Sequence, residues 1–124
     1  MLEIIIITYN RKTELKNTLE HLSNSCLRNL KITILDNDSA INYADLITQF
    51  SPKKLPYLNL IKHKYNIGAG PNFLRACELA ESEYFWIIAD DDEYNFDKAQ
   101  DLLLFLEKEK PDIHLVGSPI MKDF

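Results

Sequence analysis

Three consecutive aspartates, Asp90, Asp91 and Asp92, follow the apolar run YFWIIA at positions 84–89. Adjacent carboxylates repel one another and lose hydration when buried, so a fold tolerates them where water, donors or a cation neutralise them. In an extended chain, Asp90 and Asp92 share one face. Two carboxylates on one face suit Mg²⁺ or Mn²⁺, which keep several waters and take further ligands from phosphates. The sequence therefore predicts a metal site at Asp90 and Asp92; the alternative is a solvated loop that caps the next helix.

Two earlier stretches carry side chains that could bind a nucleotide. Asp36 and Asn37 follow the apolar run LKITIL and offer acceptors for a sugar hydroxyl or a base N–H. The alternative is that they only form a turn, which Asp and Asn commonly do. Thr8 and Tyr9 end the first apolar run and could flank a planar base, although Tyr9 could instead cover the edge of a sheet.

The stretch NIGAGPN at 66–72 contains two glycines that permit close backbone approach, just before a predicted helix N-terminus that favours an anion. It matches neither G-x-G-x-x-G nor a loop ending in Gly-Lys-Ser/Thr, which disfavours those nucleotide-binding classes. Arg75 lies one turn into the helix and could bind a phosphate through two hydrogen bonds, or could simply pair with Glu78. No role is assigned to the histidines, which lack metal-ligand spacing: His21, His63 and His114.

Each of these polar stretches follows a run of apolar, β-branched or aromatic residues that predicts a strand. Five strands are predicted, at 2–8, 30–35, 57–63, 84–89 and 113–117. Because helices are predicted between them, the strands are expected to form a mainly parallel sheet in a three-layer α/β/α domain. Ligands of such sheets bind outside the carboxyl ends of the strands. The polar stretches are therefore expected to meet in one crevice.

Four helices are predicted from apolar residues at helical spacing. Asn10 or Thr13 could cap the first, Pro71 would begin the third, and Pro111 would end the fourth. The residues expected on the buried faces are Leu15, Leu19, Leu22 and Cys26 of the first helix, the stretch 43–50 of the second, Phe73, Cys77 and Ala80 of the third, and Ala99, Leu102, Leu103 and Leu106 of the fourth.

Composition limits the classes of partner. The 124 residues suffice for one domain, and 14 Lys and Arg against 19 Asp and Glu give a net charge of −5, which offers no broad attraction for nucleic acid. No apolar run reaches the ~20 residues of a membrane span. Cys26 and Cys77 have no C-x-x-C spacing, so both are expected to be reduced and buried, in a cytoplasmic protein.

In this order and spacing, IIIITYNR, ILDNDS and NIGAGPNFLRACELAESEYFWIIADDDE resemble the N-terminal, donor-binding part of family 2 glycosyltransferases. The resemblance covers essentially the whole chain and implies the GT-A fold, a Rossmann-like fold that binds nucleotide-diphosphate sugars. It implies a donor that is most often a UDP-sugar, with Mn²⁺ or Mg²⁺ between its diphosphate and the Asp motif. The acceptor would be a saccharide or a lipid-linked glycan, as in the synthesis of cell-surface polysaccharides.

The resemblance also assigns roles to particular residues. Thr8 and Tyr9 would line the base pocket, and Asp36 with Asn37 would contact the base or the ribose. The nucleotide-binding set is completed by residues of the later motifs, Asn66, Arg75 and Asp91, of which Asp91 would lie near the ribose or the sugar. Asp92 would be the best candidate for the metal. Members frequently have Asp-x-Asp-Asp, and Ala89 stands at the first of those positions, so Asp90 could replace it and the working pair stays open.

Family members that invert the anomeric centre place a carboxylate general base after the metal motif and beyond a further strand. No candidate follows Leu115 except Asp123, which is next to the C-terminal residue. Residues 1–124 are therefore expected to form a single truncated domain that binds the donor, without the acceptor-binding part and with little transfer activity alone.

Two other functions stay open from the residues. A nucleotidyltransferase uses a similar sheet and acidic metal site, but it usually has a glycine-rich basic loop after the first strand, and TYNRKTE contains no glycine. A non-catalytic domain that binds sugar nucleotides or serves assembly is the second alternative.

Overall fold

The computed structural model describes residues 1–91 and 93–112. Its helices and strands, in chain order, are β1 (Leu2–Thr8), α1 (Lys12–Ser23), β2 (Ile32–Asp36), α2 (Ala44–Phe50), β3 (Leu58–Lys62), α3 (Ala69–Leu79), β4 (Tyr84–Ala89), a single 3₁₀ turn (Phe96–Lys98) and α4 (Ala99–Glu109).

In the described ranges, four parallel strands form one sheet in the order β3-β2-β1-β4. The chain steps outward from β1 to β3 and then returns past β1 to β4, so the strand order reverses between β1 and β4. Thr8 pairs with Asp36, and Ile7 pairs with Ala89. This register brings the ends of β1, β2 and β4 to one edge, at the reversal point where such sheets bind ligands.

Alternate residues of β1 pack on opposite faces of the sheet, as the strand pleat requires. Ile4 and Ile6 belong to a large core with α1, α2 and α4, whereas Ile5 packs with Ala76 of α3 on the other face. Helices therefore cover both faces, and the predicted α/β/α architecture with a mainly parallel sheet is confirmed.

The first helix is shorter than predicted. α1 ends at Ser23, and Cys26, which was expected to be buried on this helix, is exposed beyond it. The hydroxyls of Ser23 and Ser25 donate to the backbone carbonyls of Glu20 and Leu22 at 2.7 and 2.8 Å. These side chains satisfy carbonyl groups of the last turn, so the chain can leave the helix there.

The predicted caps of α1 are also wrong. Arg11 occupies the N-cap position, and no side chain caps this helix. Asn10 has a left-handed backbone with φ of 54°, a conformation in which asparagine is enriched, and its Oδ1 accepts from the backbone N–H of Ala40 at 2.8 Å. Asn10 thus ties the start of α1 to the loop that follows β2.

The buried stripe of α3 differs from the prediction by one residue. Asn72 and Ala76 are buried, whereas Phe73 is 48% exposed and Cys77 is half-buried. The small side chain of Ala76 lets the helix approach the sheet, and a hydrogen bond at Asn72 satisfies its buried amide. Hydrophobicity alone therefore selected the wrong face. Pro71 is the third residue of α3, not the first.

The remaining elements agree with the prediction to within about two residues. α4 buries Ala99 and Leu106 and ends at Glu109, ahead of Pro111. The predicted fifth strand at 113–117 lies outside the described residues.

Candidate functional site

A cavity of about 450 Å³ opens at the carboxyl edge of the sheet, a size typical of ligand pockets. Side chains from the ends of β1, β2 and β4 and from the start of α3 line it. The polar side chains that matter most for its chemistry are Thr8, Arg11, Asn37, Asn72, Asp90 and Asp91. The predicted crevice therefore exists, and most of the predicted nucleotide-binding residues line it.

Asp90 is a buried carboxylate at the back of this cavity. It is 4% exposed, and its Oδ2 accepts from the hydroxyl of Thr8, itself buried, at 2.7 Å. The hydroxyl of Thr18 in α1 donates to the backbone carbonyl of Asp90 at 3.1 Å. Burial raises the pKa of Asp90 above its ordinary value, while Thr8 and Arg11 act in the opposite direction and Asp91 adds to the rise.

Arg11 provides the positive charge that the aspartates require. One guanidinium nitrogen, Nη1, forms an ion pair with Oδ2 of Asp91 and lies 3.5 Å from Oδ1 of Asp90. These two carboxylates, Asp91 first, raise the pKa of Arg11. The side chain of Arg11 is 49% exposed, and in the described part of the chain it is the one cationic side chain that lines the cavity.

The sequence interpretation missed Arg11. Two signals could have identified it. It lies three residues beyond the end of β1, and an acidic cluster at a neighbouring strand end needs a nearby cation.

The same geometry suits a divalent cation. One oxygen of Asp90 and one of Asp91 converge on a single atom of Arg11, so two carboxylate oxygens already face one point of positive charge. Such oxygens are the donors that Mg²⁺ and Mn²⁺ prefer. The predicted partner Asp92 lies outside the described residues. Within 1–91 and 93–112, no three His, Cys, Asp or Glu side chains cluster as a metal site.

Asn37 holds the loop between β3 and α3 against the cavity. Its Nδ2 donates to Oδ1 of Asn66 at 3.0 Å and to the backbone carbonyl of Gly68 at 3.3 Å, and its Oδ1 accepts from the backbone N–H of Ile67 at 2.9 Å. Gly68 has φ of 87°, which a side chain would strain. The first glycine of the NIGAGPN stretch is therefore required by the loop that Asn37 and Asn66 shape.

Asp36 forms a turn, as the alternative interpretation proposed. It is 1% exposed, and its Oδ1 accepts from both the backbone N–H and the hydroxyl of Ser39, at 2.9 and 2.6 Å. It does not line the cavity. Contact between Asp36 and a base or ribose stays a prediction.

Tyr9 and Arg75 have different positions relative to the cavity. Tyr9 is 45% exposed and lines it. Arg75 does not line it and pairs with Glu78 at 2.8 Å on the exposed side of α3, which confirms the ion-pair alternative. Its predicted role as a phosphate ligand has no support from this position.

Asn72 and His63 form a second polar group that the sequence interpretation missed. Asn72 is 4% exposed and lines the cavity from α3, with its Oδ1 2.7 Å from Nε2 of His63. His63 directly follows the last residue of β3. No motif pointed to this pair, because the two residues lie nine positions apart along the chain.

Curated relatives resemble the chain in sequence. It is 30% identical over 117 residues to the abequosyltransferase RfbV of Salmonella typhimurium strain LT2, covering 93% of this chain and 35% of that protein. It is 27% identical over 124 residues to the UDP-Glc:alpha-D-GlcNAc-diphosphoundecaprenol beta-1,3-glucosyltransferase WfaP of Escherichia coli, covering all of this chain and 48% of that protein. The chain thus spans less than half the length of either relative.

Solved structures share the fold. Crystallised residues 1–349 of S. aureus TarS in complex with UDP-GlcNAc superpose with a TM-score of 0.76 at 20% sequence identity, covering 95% of this chain and 36% of that one. The same fragment in complex with UDP gives a TM-score of 0.74. In the described part of this chain, no helix has the length and apolar character needed to cross a membrane.

The family model of Glycosyl transferase family 2 matches residues 3–122. Because this match extends over nearly the whole sequence and the α/β/α architecture agrees with it, the chain belongs to glycosyl transferase family 2 and has its GT-A fold.

Proposed function

We propose that this chain is the donor-binding part of a glycosyltransferase that takes a sugar from a nucleotide-diphosphate sugar and transfers it to an acceptor hydroxyl. The observation that carries the proposal is the convergence of Thr8, Arg11, Asp90 and Asp91 on one cavity at the strand reversal. A UDP-sugar is the first donor to test, because TarS was crystallised with UDP-GlcNAc and WfaP is named for UDP-Glc.

The nucleoside would bind on the side formed by β1 and the loop after β3. Tyr9 offers an exposed ring for a planar base, and the loop that Asn37 and Asn66 fix provides a firm wall. Asp36 would act here through the turn it forms with Ser39, which supports the same edge.

The diphosphate would bind beside Asp90, Asp91 and Arg11. A divalent cation, when bound, supplies Lewis-acid stabilisation of the charge that develops on the departing diphosphate. Asp90 and Asp91 would hold it through the oxygens that now face Arg11, and Asp92 remains a proposed ligand. Arg11 would then be free to donate to a phosphate oxygen, for which its planar guanidinium is well suited.

The acceptor and the stereochemistry are further parts of the proposal. We propose inversion by direct displacement, with a carboxylate base that family members carry after the metal motif. The acceptor would be a saccharide or a lipid-linked glycan, as the diphosphoundecaprenol in the name of WfaP suggests, and the reaction would take place in the cytoplasm. Membership of the family disfavours the nucleotidyltransferase alternative.

Titration calorimetry with UDP, GDP and dTDP, each with Mn²⁺ and with EDTA, tests this proposal. We expect one nucleotide to bind, UDP in the first instance, and to bind more weakly with EDTA. Equal affinity with the chelator would overturn the metal requirement. Failure of all three nucleotides to bind would overturn the donor-binding role and favour the alternative of a non-catalytic assembly domain.

A further inference from the structure

Asn72 and His63 lie on the α3 side of the cavity, and no contact proposed above uses them. Asn72 is in the first turn of α3, and its backbone N–H donates to the carbonyl of Gly68 at 3.1 Å. Its side chain is almost fully buried, which is costly for an amide unless both of its ends are satisfied.

One end of that amide has a protein partner and the other faces the cavity. Oδ1 lies 2.7 Å from Nε2 of His63, which donates to it when Nε2 carries the proton. The described residues offer Nδ2 no hydrogen-bond acceptor, yet they contain no buried side-chain nitrogen or oxygen without a partner. Nδ2 is therefore open to the cavity that Asn72 lines and can donate a hydrogen bond to a ligand there.

The backbone at the start of α3 also presents hydrogen-bond donors to the cavity. Gly68 and Ala69, at the start of α3, line the cavity, so the N-terminus of this helix faces it. No side chain caps this end of α3, and its first turn contains no acidic residue. The N–H of Gly68 already donates to Oδ1 of Asn66 at 2.8 Å and Pro71 has no N–H, so the backbone groups left to bind an anion are those of Ala69 and Gly70, at the positive end of the helix dipole.

We infer that Asn72 and the start of α3 form a subsite for a phosphate oxygen of the diphosphate, and that His63 is the residue that positions Asn72. This inference rests on the proposed function, because it assigns part of the same donor. His63 holds Oδ1, Nδ2 then points at the anion, and the helix N-terminus adds its N–H groups. The subsite lies on a different element from Arg11 and the aspartates, so the diphosphate is held from α3 as well as from β4.

The replacement Asn72→Asp tests the subsite with little change in volume. The carboxylate keeps an acceptor for His63 but presents an oxygen, not an N–H, to the anion. Asn59→Asp is the matched control, because Asn59 is exposed on β3 and the change adds the same charge outside the cavity. The probes are uridine, UDP and inorganic pyrophosphate, titrated at one Mn²⁺ concentration into variants whose circular dichroism matches that of the unmodified chain.

We expect Asn72→Asp to lower the affinity for UDP and for pyrophosphate by at least about tenfold, because one charge-assisted hydrogen bond is lost. The affinity for uridine should change by no more than about twofold. Asn59→Asp should change none of the three by more than about twofold. Unchanged UDP and pyrophosphate binding by Asn72→Asp would overturn the subsite, as would an equal loss for uridine. If the unmodified chain binds pyrophosphate but no nucleotide, and Asn72→Asp weakens that binding, the subsite stands and the proposed donor fails; if the unmodified chain binds neither, both fail.

A second pair of variants tests His63 and also covers the case in which Asn72→Asp does not fold. Gln at position 63 can donate to Oδ1 of Asn72, whereas Leu cannot. We expect His63→Leu to lower the affinity for UDP severalfold without changing the affinity for uridine. His63→Gln should recover at least half of the binding free energy for UDP that His63→Leu loses. Equal UDP affinity in the two variants would overturn the positioning role.

Discussion

The hydrogen bond from Thr8 to Asp90 offers a direct test of how the site is held together. The replacement Thr8→Val removes the hydroxyl while keeping the branched shape of the side chain. Both residues are almost fully buried and their oxygens are 2.7 Å apart, so the replacement leaves Oδ2 of Asp90 without this donor. A hydrogen bond to a charged group contributes about 1.5–3 kcal/mol. We expect a loss of about this size in the free energy of unfolding, a large part of a typical total of about 5–15 kcal/mol.

The loss should depend on pH in a defined direction. Burial raises the pKa of Asp90 above 3.8, so the folded state binds the carboxyl proton more tightly than the unfolded chain does. The contribution of Asp90 to stability therefore declines as the pH rises through the pKa of the folded state. Without Thr8 the ionised form loses a donor, and the native pKa rises further. The difference between Thr8→Val and the unmodified chain should therefore be largest at neutral pH and smaller at about pH 4, where more of the carboxyl is protonated.

Urea unfolding followed by circular dichroism at about pH 7 and about pH 4 measures both quantities. Thr13→Val is the control, because Thr13 is an exposed residue of α1. It should change the free energy of unfolding by less than about 0.5 kcal/mol. A loss below about 0.5 kcal/mol for Thr8→Val at neutral pH, or one of equal size at the two pH values, would show that this hydrogen bond does not stabilise the ionised Asp90.

Three further predictions follow from charged residues. Asp90→Asn should leave stability at neutral pH equal or higher, since the buried charge is removed, but should abolish the Mn²⁺ dependence of nucleotide binding; urea unfolding and calorimetry check the two effects. Arg11→Gln should lower the affinity for UDP at least about tenfold, whereas Arg75→Gln should change it less than about twofold. The reverse order in calorimetry would favour Arg75, the phosphate ligand predicted from the sequence. Glu3 is buried, and burial raises its pKa, but hydrogen bonds from Ser82 and from the backbone N–H of Glu81 outweigh this effect and lower the pKa below 4.5. The ionised Glu3 therefore stabilises the folded state above about pH 4.5, and this contribution is lost as the pH falls through the lowered pKa. Glu3→Gln should therefore cost about 1–3 kcal/mol at neutral pH and less at about pH 3 in urea unfolding, with unchanged UDP binding.

The fold could be predicted because its signals are local. The runs LEIIIIT and YFWIIA became β1 and β4 with the predicted bounds, since runs of apolar, β-branched and aromatic residues favour a strand. Strand order and helix alternation then place the polar stretches at one edge. The stripe of α3 failed because its burial is decided by Ala76 and Asn72, a small residue and a hydrogen-bonded amide that a hydrophobic pattern does not select.

The site was predictable by residue type but not by partner. The sequence indicated that the aspartates need a positive neighbour, yet which cation supplies it depends on the turn after β1 that directs Arg11 toward Asp91. The sequence left open whether Asp36 forms a turn or contacts the nucleotide; its carboxylate is bonded to Ser39, and the nucleotide contact stays a prediction. The pairing of His63 with Asn72 joins two elements that no motif links. Long-range pairings of this kind follow from packing, not from spacing along the chain.

The most direct test of the central claim is a crystal structure of this chain with UDP and Mn²⁺, recorded at the manganese absorption edge. We expect an anomalous peak within about 2.5 Å of carboxylate oxygens of the aspartate cluster that contains Asp90 and Asp91, with the diphosphate in the cavity at the ends of β1 and β4. Manganese and diphosphate bound together at another surface, with Asp90 still bonded only to Thr8 and Arg11, would contradict it.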